Sequence, residues 1–120
     1  KNMTKEFDNF IKKRLNILAN LNIDTKKVWF DPGIGFGKTL NQNLHLMRSL
    51  KKYIDRNIQI LLGSSRKSWI NFIDPSKTDE RLGGSLASVA HALSQGVNTF
   101  RIHDVQETNQ MIKVLKVLNR

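Results

Sequence analysis

The 120-residue sequence predicts one α/β domain in which parallel strands are joined by helical crossovers. Three observations carry that expectation. Helical patterns alternate with short apolar runs; those runs end abruptly in turn residues, as strands buried on both faces do; and the unusual polar residues all fall just after a run.

The elements follow in order. Phe7, Phe10, Ile11, Leu15, Leu18 and Leu21 fall near helical spacing with lysine and asparagine between them, so residues 4–20 read as an amphipathic helix. Val28-Trp29-Phe30 is a buried strand stopped by Asp31-Pro32-Gly33. A helix over 40–54 turns Leu40, Leu44, Met47, Leu50 and Ile54 inward, and 58–63 is the next strand. A polar loop around Asp74-Pro75-Ser76 leads to a helix over 79–95 with Leu82, Leu86, Val89, Ala90 and Leu93 as its stripe. Gly96 stands where a helix-ending glycine belongs, and 97–102 is the third strand. Asp104 and Glu107 form an acidic capping box for a last helix on Val105, Thr108, Ile112, Leu115 and Leu118.

Composition narrows the function. Cysteine is absent, which excludes disulfides and thiolate zinc sites, and no run approaches the ~18 apolar residues of a membrane span. A cytoplasmic protein without membrane contact is expected. The net charge of +10 and pI near 10.2 suggest nucleic acid, but the basic residues (Lys12, Lys13, Lys26, Lys27, Lys51, Lys52, Lys113, Lys116) are scattered over solvated helix faces. Nucleic acid is therefore disfavoured as the main partner, although a basic surface attracts anionic substrates.

The stretch FDPGIGFGKT, residues 30–39, resembles a phosphate loop only superficially. A P-loop needs four residues between its first glycine and the Gly-Lys-Thr end, and Pro32 stands where that glycine should be. The dinucleotide fingerprint fails at Lys38. Each candidate residue also has a plain structural alternative. Asp31 before Pro-Gly makes a turn former, Arg66-Lys67 a solvated pair, His103 a helix-entry residue and Asp104 an N-cap; Trp69 and Phe72 read as packing, and His45 and His91 receive no role. The joint placement argues otherwise: Asp31, the segment Ser64 to Ser68, and the segment Arg101 to Asp104 each follow a strand, and in parallel α/β folds those ends share the active face.

FDPGIGFGKT, LLGSSRKSWI, ERLGGSLASVAHALSQG and FRIHDVQET, in this order, resemble the carboxyl-terminal half of the dihydropteroate synthase family, and the resemblance covers the chain from Val28 onward. It implies the carboxyl-terminal part, strands 6 to 8 with their helices, of a (β/α)8 TIM barrel across residues 1–120. It also implies a transferase of folate biosynthesis, in which para-aminobenzoate displaces pyrophosphate from a hydroxymethyl-dihydropterin pyrophosphate. By the same resemblance Asp31 pairs with the pterin's amino-pyrimidine edge, Lys67 binds the pterin ring and Ser68 meets the aminobenzoate carboxylate. Gly35 and Phe36 line the loop between the pockets, Arg101 packs on the pterin face, and Arg101 with His103 holds the leaving pyrophosphate; Lys67, Arg101 and His103 form the catalytic set.

A barrel of about 250 residues is usual, so the chain is expected to be a fragment. The acid and asparagine that complete the pterin pocket, the asparagine beside a magnesium ion, and two mobile loops belong to the first five strands. The Mg2+ ligand is thus expected from the missing amino-terminal half, and no metal ligand from this chain. Homodimerisation or other self-association is expected of such a half barrel. The rivals are the pterin-binding domain of folate-dependent methyltransferases, which has no need of the Ser-Arg-Lys-Ser and Arg-Ile-His-Asp motifs, and a non-catalytic basic RNA-binding module.

Overall fold

Asn2 caps the first helix, its side chain accepting from the Lys5 amide, and α1 runs Met3–Asn20 in a computed structural model that describes residues 2–120. Its buried face is Thr4, Phe7 and Ile11. The expected stripe is wider than the surface it meets: Phe10 is 45% and Leu21 63% exposed. Fully buried Tyr53 fastens α1, donating to the Thr4 carbonyl at 3.2 Å with its ring edge-on to Phe7. Burial, with Asp8 adjacent, pushes the Tyr53 phenol well above its ordinary range.

The three expected strands are all parallel and much shorter than their apolar runs. The 28–30 run contributes one bridge, Phe30 to Ile60; β1 is Leu61–Leu62 and β2 is Thr99–Phe100, paired Leu61 with Thr99 and Leu62 with Phe100. Phe30 donates to the Gln59 carbonyl at 2.8 Å and accepts from Leu61 at 3.0 Å. The outer segments each have one neighbour among the described residues; the 28–30 run pairs only at its last residue, and the 58–63 and 97–102 runs only near their middles. Ile60 and Leu62 face a core that includes Phe30, Leu46, Leu50 and Val97.

The expected helix over 40–54 is two helices, α2 (Leu40–Arg48) and α3 (Leu50–Ile54). The cause is a side chain in the ladder. In an unbroken helix the Lys51 amide would bond the Met47 carbonyl. Instead Gln95 takes both: its Oε1 accepts from Lys51 N at 2.9 Å and its Nε2 donates to Met47 O at 2.7 Å.

After β1 the chain makes a helix not anticipated from the sequence, α4 (Ser68–Ile73). Trp69 and Ile70 are its buried residues, and the Trp69 indole donates to the Ser64 carbonyl at 3.0 Å. Trp69 packs as expected, whereas Phe72 is 67% exposed and does not. Thr78–Glu80 is a separate 3-10 turn, so α5 begins at Leu82 and runs to Ser94. Its buried face is Ser85, Ser88, Val89 and Ala92, not the leucine stripe. Small residues let α5 lie close to the loop after β1, where Ser88 and Ser64 share a hydroxyl bond at 2.7 Å and Ser85 accepts from the Arg66 amide. Leu82 is 37% exposed, while Ala90 and Leu93 line a groove with Ile112 and Leu115 of α6 (Val105–Leu118). Gly96 ends α5 at φ +99°, as expected.

Asp104 does occupy the N-cap position of α6, but its side chain caps nothing. It is bound elsewhere, and that displacement shapes the site. Val105 at its start is 64% exposed, and Thr108 is the buried residue of α6.

Candidate functional site

The loop after Phe30 is built by its own residues. Gly33, Gly35 and Gly37 lie at φ +69°, +90° and +58°, conformations that side-chain-bearing residues avoid. Each turn is then tied. Asp31 Oδ1 accepts from Gly33 N at 2.8 Å, and buried Asn43 of α2 accepts from Gly35 N at 2.8 Å. Lys38 donates to the Gly33 carbonyl at 2.7 Å and to that of Phe36 at 3.2 Å. Ile34 is fully buried and plugs the loop into the core. Lys38 therefore braces a loop, and Thr39 caps α2 with Gln42; neither has the job that a P-loop would give it.

The outward side of this loop meets the end of β1. Lys67 donates to the Ile34 carbonyl at 2.6 Å and stands 4.5 Å from the centre of the exposed Phe36 ring. A Cβ on Gly35 would come 3.1 Å from the Lys67 chain, so the glycine makes room for it. Partial burial lowers the Lys67 ammonium pKa, opposed by the Asp31 charge and aided by Arg101 and Lys38. Lys67 thus feels one carboxylate and two further cations.

Arg101 reaches that carboxylate from β2's end, Nη2 to Asp31 Oδ2 at 3.4 Å; with its side chain 59% exposed this is a weak contact. Gly63 leaves the room that Arg101 occupies: a Cβ there would lie 2.8 Å from the guanidinium. Two residues further along each strand end, His103 Nδ1 meets Ser65 Oγ at 2.9 Å. Arg101 over Gly63 and His103 over Ser65 share one side of the sheet, as their alternation requires. Next comes Arg66, whose Nη2 and Nε donate to Asp104 at 2.6 and 3.1 Å. That pairing holds the Asp104 carboxyl below the usual carboxylate range.

The predicted residues are accordingly found as follows. Asp31, Gly35, Phe36, Lys67 and Arg101 adjoin one another around the glycine loop, and His103 lies one step along the same strand-end face. Ser68 is exposed in the first turn of α4. Asp31 also serves as a turn former, so both of its readings describe the same side chain. Arg66 is not a solvated residue, and Asp104 is not a cap. Sequence reasoning missed Asn43 and Gly63, and gave Ser65 no role of its own within the Ser64 to Ser68 segment. A polar residue on the buried side of a helix and a glycine closing an apolar run were the available signals.

The chemistry within reach is recognition of a flat, amidine-like edge by a carboxylate, beside a cationic surround suited to an anion.

A model of the pterin binding enzyme family matches residues 1–103. A dihydropteroate synthase of Clostridium beijerinckii is 34% identical over 121 residues, covering 100% of this chain and 45% of that protein. One of Escherichia coli is 40% identical over 94 residues, covering 78% and 33%. Among solved structures, the dihydropteroate synthase of Clostridium difficile, crystallised in the presence of pteroic acid, superposes with a TM-score of 0.91 at 32% identity, over 100% of this chain and 46% of that one. That of Xanthomonas albilineans in complex with 7,8-dihydropteroate gives 0.92 at 28%, over 99% and 46%. The chain thus spans about half the length of these relatives.

Proposed function

Because the chain belongs to the pterin-binding enzyme family, we propose that it supplies strands 6 to 8, with their helices, of the (β/α)8 barrel of a dihydropteroate synthase. The observation that carries this is the glycine loop with its carboxylate, Asp31, touched by Arg101, and with Lys67 and Lys38 each bonded to a carbonyl of the same loop. It suits a pterin's edge at the acid and a pyrophosphate among the cations.

The reaction is substitution at a methylene carbon. The arylamine of para-aminobenzoate forms the new C–N bond, the C–O bond to pyrophosphate breaks with its electrons, and the amine's proton goes to solvent. Asp31 accepts from the pterin edge. The Lys67 ammonium, already spanning the Ile34 carbonyl and the Phe36 ring, orients the pterin. Ser68 receives the aminobenzoate carboxylate at the start of α4. Arg101 and His103 offset the charge growing on the departing anion, which is where electrostatic help lowers the barrier. The described residues contain no group of three or more His, Cys, Asp or Glu fit for a metal. Magnesium is therefore assigned no step, and its ligand is proposed to lie outside this chain. No helix of the described residues is long and apolar enough to cross a membrane, and a cytoplasmic location is proposed.

A chimera tests the reading. Residues 1–120 replace the matched 45% of the Clostridium beijerinckii relative, and dihydropteroate formation is measured. A folded chimera that makes product supports the proposal; a folded chimera without pterin binding or product sinks it. Pterin binding that barely changes with salt separates it from an RNA-binding role, which would weaken steeply.

A further inference from the structure

The backbone ladder between β1 and β2 ends at Leu62 and Phe100, with Arg101 N donating to Leu62 O at 2.9 Å. The pairing does not end there. Gly63 with Arg101, Ser65 with His103 and Arg66 with Asp104 are each 38 residues apart, the same separation as in the paired strands. Arg101 fills the space above Gly63, and side-chain bonds at Ser65–His103 and Arg66–Asp104 keep the strand register after the backbone bonds have stopped. The last of these rungs is the strongest, since it is bidentate and charged.

Arg66 is also the most heavily restrained residue of its loop. It holds φ +56°, a left-handed conformation unfavourable for a residue with a side chain. Its amide donates to buried Ser85 Oγ at 2.9 Å, and its carbonyl accepts from Arg81 Nη1 at 2.8 Å. Arg81 is in turn fixed through Nη2 to the Ser76 carbonyl at 2.8 Å. The loop of Ser76, the entry to α5 and the entry to α6 therefore converge on this one residue. Its chain neighbour is Lys67, and the neighbour of its partner Asp104 is His103.

We propose that the Arg66–Asp104 pair is a positioning device that fixes Lys67 and His103 relative to each other across the two strand ends. Neither member is assigned a substrate atom. Its bearing on ligand rests on the pterin reading above, while its effect on the loops does not. The device explains why an aspartate at an N-cap position leaves the cap unmade: its carboxylate is committed to Arg66. It also explains how a loop can keep a left-handed arginine, because the surrounding bonds over-determine it.

Amide hydrogen exchange of the protein and ligand titration test this together. In Asp104→Ala the amides of Arg66, Lys67 and His103 should exchange about tenfold faster, while core amides such as Leu46 and Leu62 keep their rates. Affinities for hydroxymethylpterin and for inorganic pyrophosphate should each fall about tenfold, since small misplacements of binding groups are costly. Asp104→Asn retains one accepting oxygen and should lie between. Arg66→Lys should not restore tight loops, because an ammonium cannot make two parallel bonds to a carboxylate. Unchanged exchange at these amides in Asp104→Ala overturns the proposal, and so does faster exchange with unaltered affinities. The titrations are made in the chimera, and if the parent chimera binds neither probe, the pterin reading fails and the exchange result alone decides the device.

Discussion

Asp31 does two things with one carboxylate, and its oxygens can be separated. Oδ1 accepts from Gly33 N and shapes the turn, while Oδ2 faces Arg101 and the open side of the site. Asp31→Asn can keep the turn, since an amide oxygen still accepts from Gly33, yet it offers donors where a pterin edge also donates. The expected outcome is unchanged thermal stability with a loss of about 2 to 3 kcal/mol in pterin affinity; calorimetry in the chimera reads it, and equal affinity would leave Asp31 a turn residue only. The adjacent Lys67 and Ser68 are proposed to serve different ligands. Lys67 is held against Ile34 and Phe36, and Ser68 is exposed at the start of α4. Lys67→Ala should weaken pterin binding, and Ser68→Ala should raise the KM for para-aminobenzoate while sparing the pterin. Steady-state kinetics showing the same change for both variants and both substrates would contradict that division. At this scale the sequence was informative wherever the backbone demanded a residue type, as at Gly33 and Gly35. It was silent where a common residue took an uncommon partner, as Asn43 and Ser65 do.

Elements were legible by kind and misread in detail, for a physical reason in each case. Apolar periodicity gave α5 a leucine stripe, but the face that meets the loop after β1 holds Ser85 and Ser88 because close approach, not hydrophobicity, sets it. The break between α2 and α3 leaves no local trace, since its wedge, Gln95, comes from the far end of α5. Gln95→Ala removes both bonds at once and should cost about 1 to 2 kcal/mol, measured by denaturant unfolding; a variant as stable as the parent would mean that the two helices fuse and recover the Lys51 to Met47 bond. Acid should loosen a different junction. Asp104's pKa is lowered in the folded protein by the hydrogen bonds and charge of Arg66. Its contribution is therefore complete above the unfolded aspartate value of about 3.9 and is lost as pH falls through the depressed folded value. Below about pH 4 the Arg66 and His103 amides should lose protection in Asp104-containing protein, and Asp104→Ala should lack that pH step. Exchange rates followed across this range check both.

For the molecule as a whole, parallel order and the shared face of strand ends followed from the sequence, and strand length did not, because apolar runs mark what is buried and not how many residues find a partner. Beside the site, Phe10, Ile17 and Trp29 are 45%, 39% and 44% exposed and line one apolar groove with Val28 and Phe30. Apolar surface next to short, one-sided strands recruits partners. The 120-residue chain is accordingly expected to associate with itself, and light scattering that finds a monodisperse monomer would count against this. The rungs that keep a spacing of 38 residues beyond the ladder bear also on how such a sequence can change over generations. A residue gained or lost in the loop around Asp74 to Lys77 alters the count between the strands but moves neither strand end. The same event between Val97 and Asp104 would slip the register, turning Arg101 and His103 to the opposite side and parting Asp104 from Arg66. Descendants of this gene should therefore change length at the first place, at the expense of the Ser76 bonds to Arg81, far more readily than at the second.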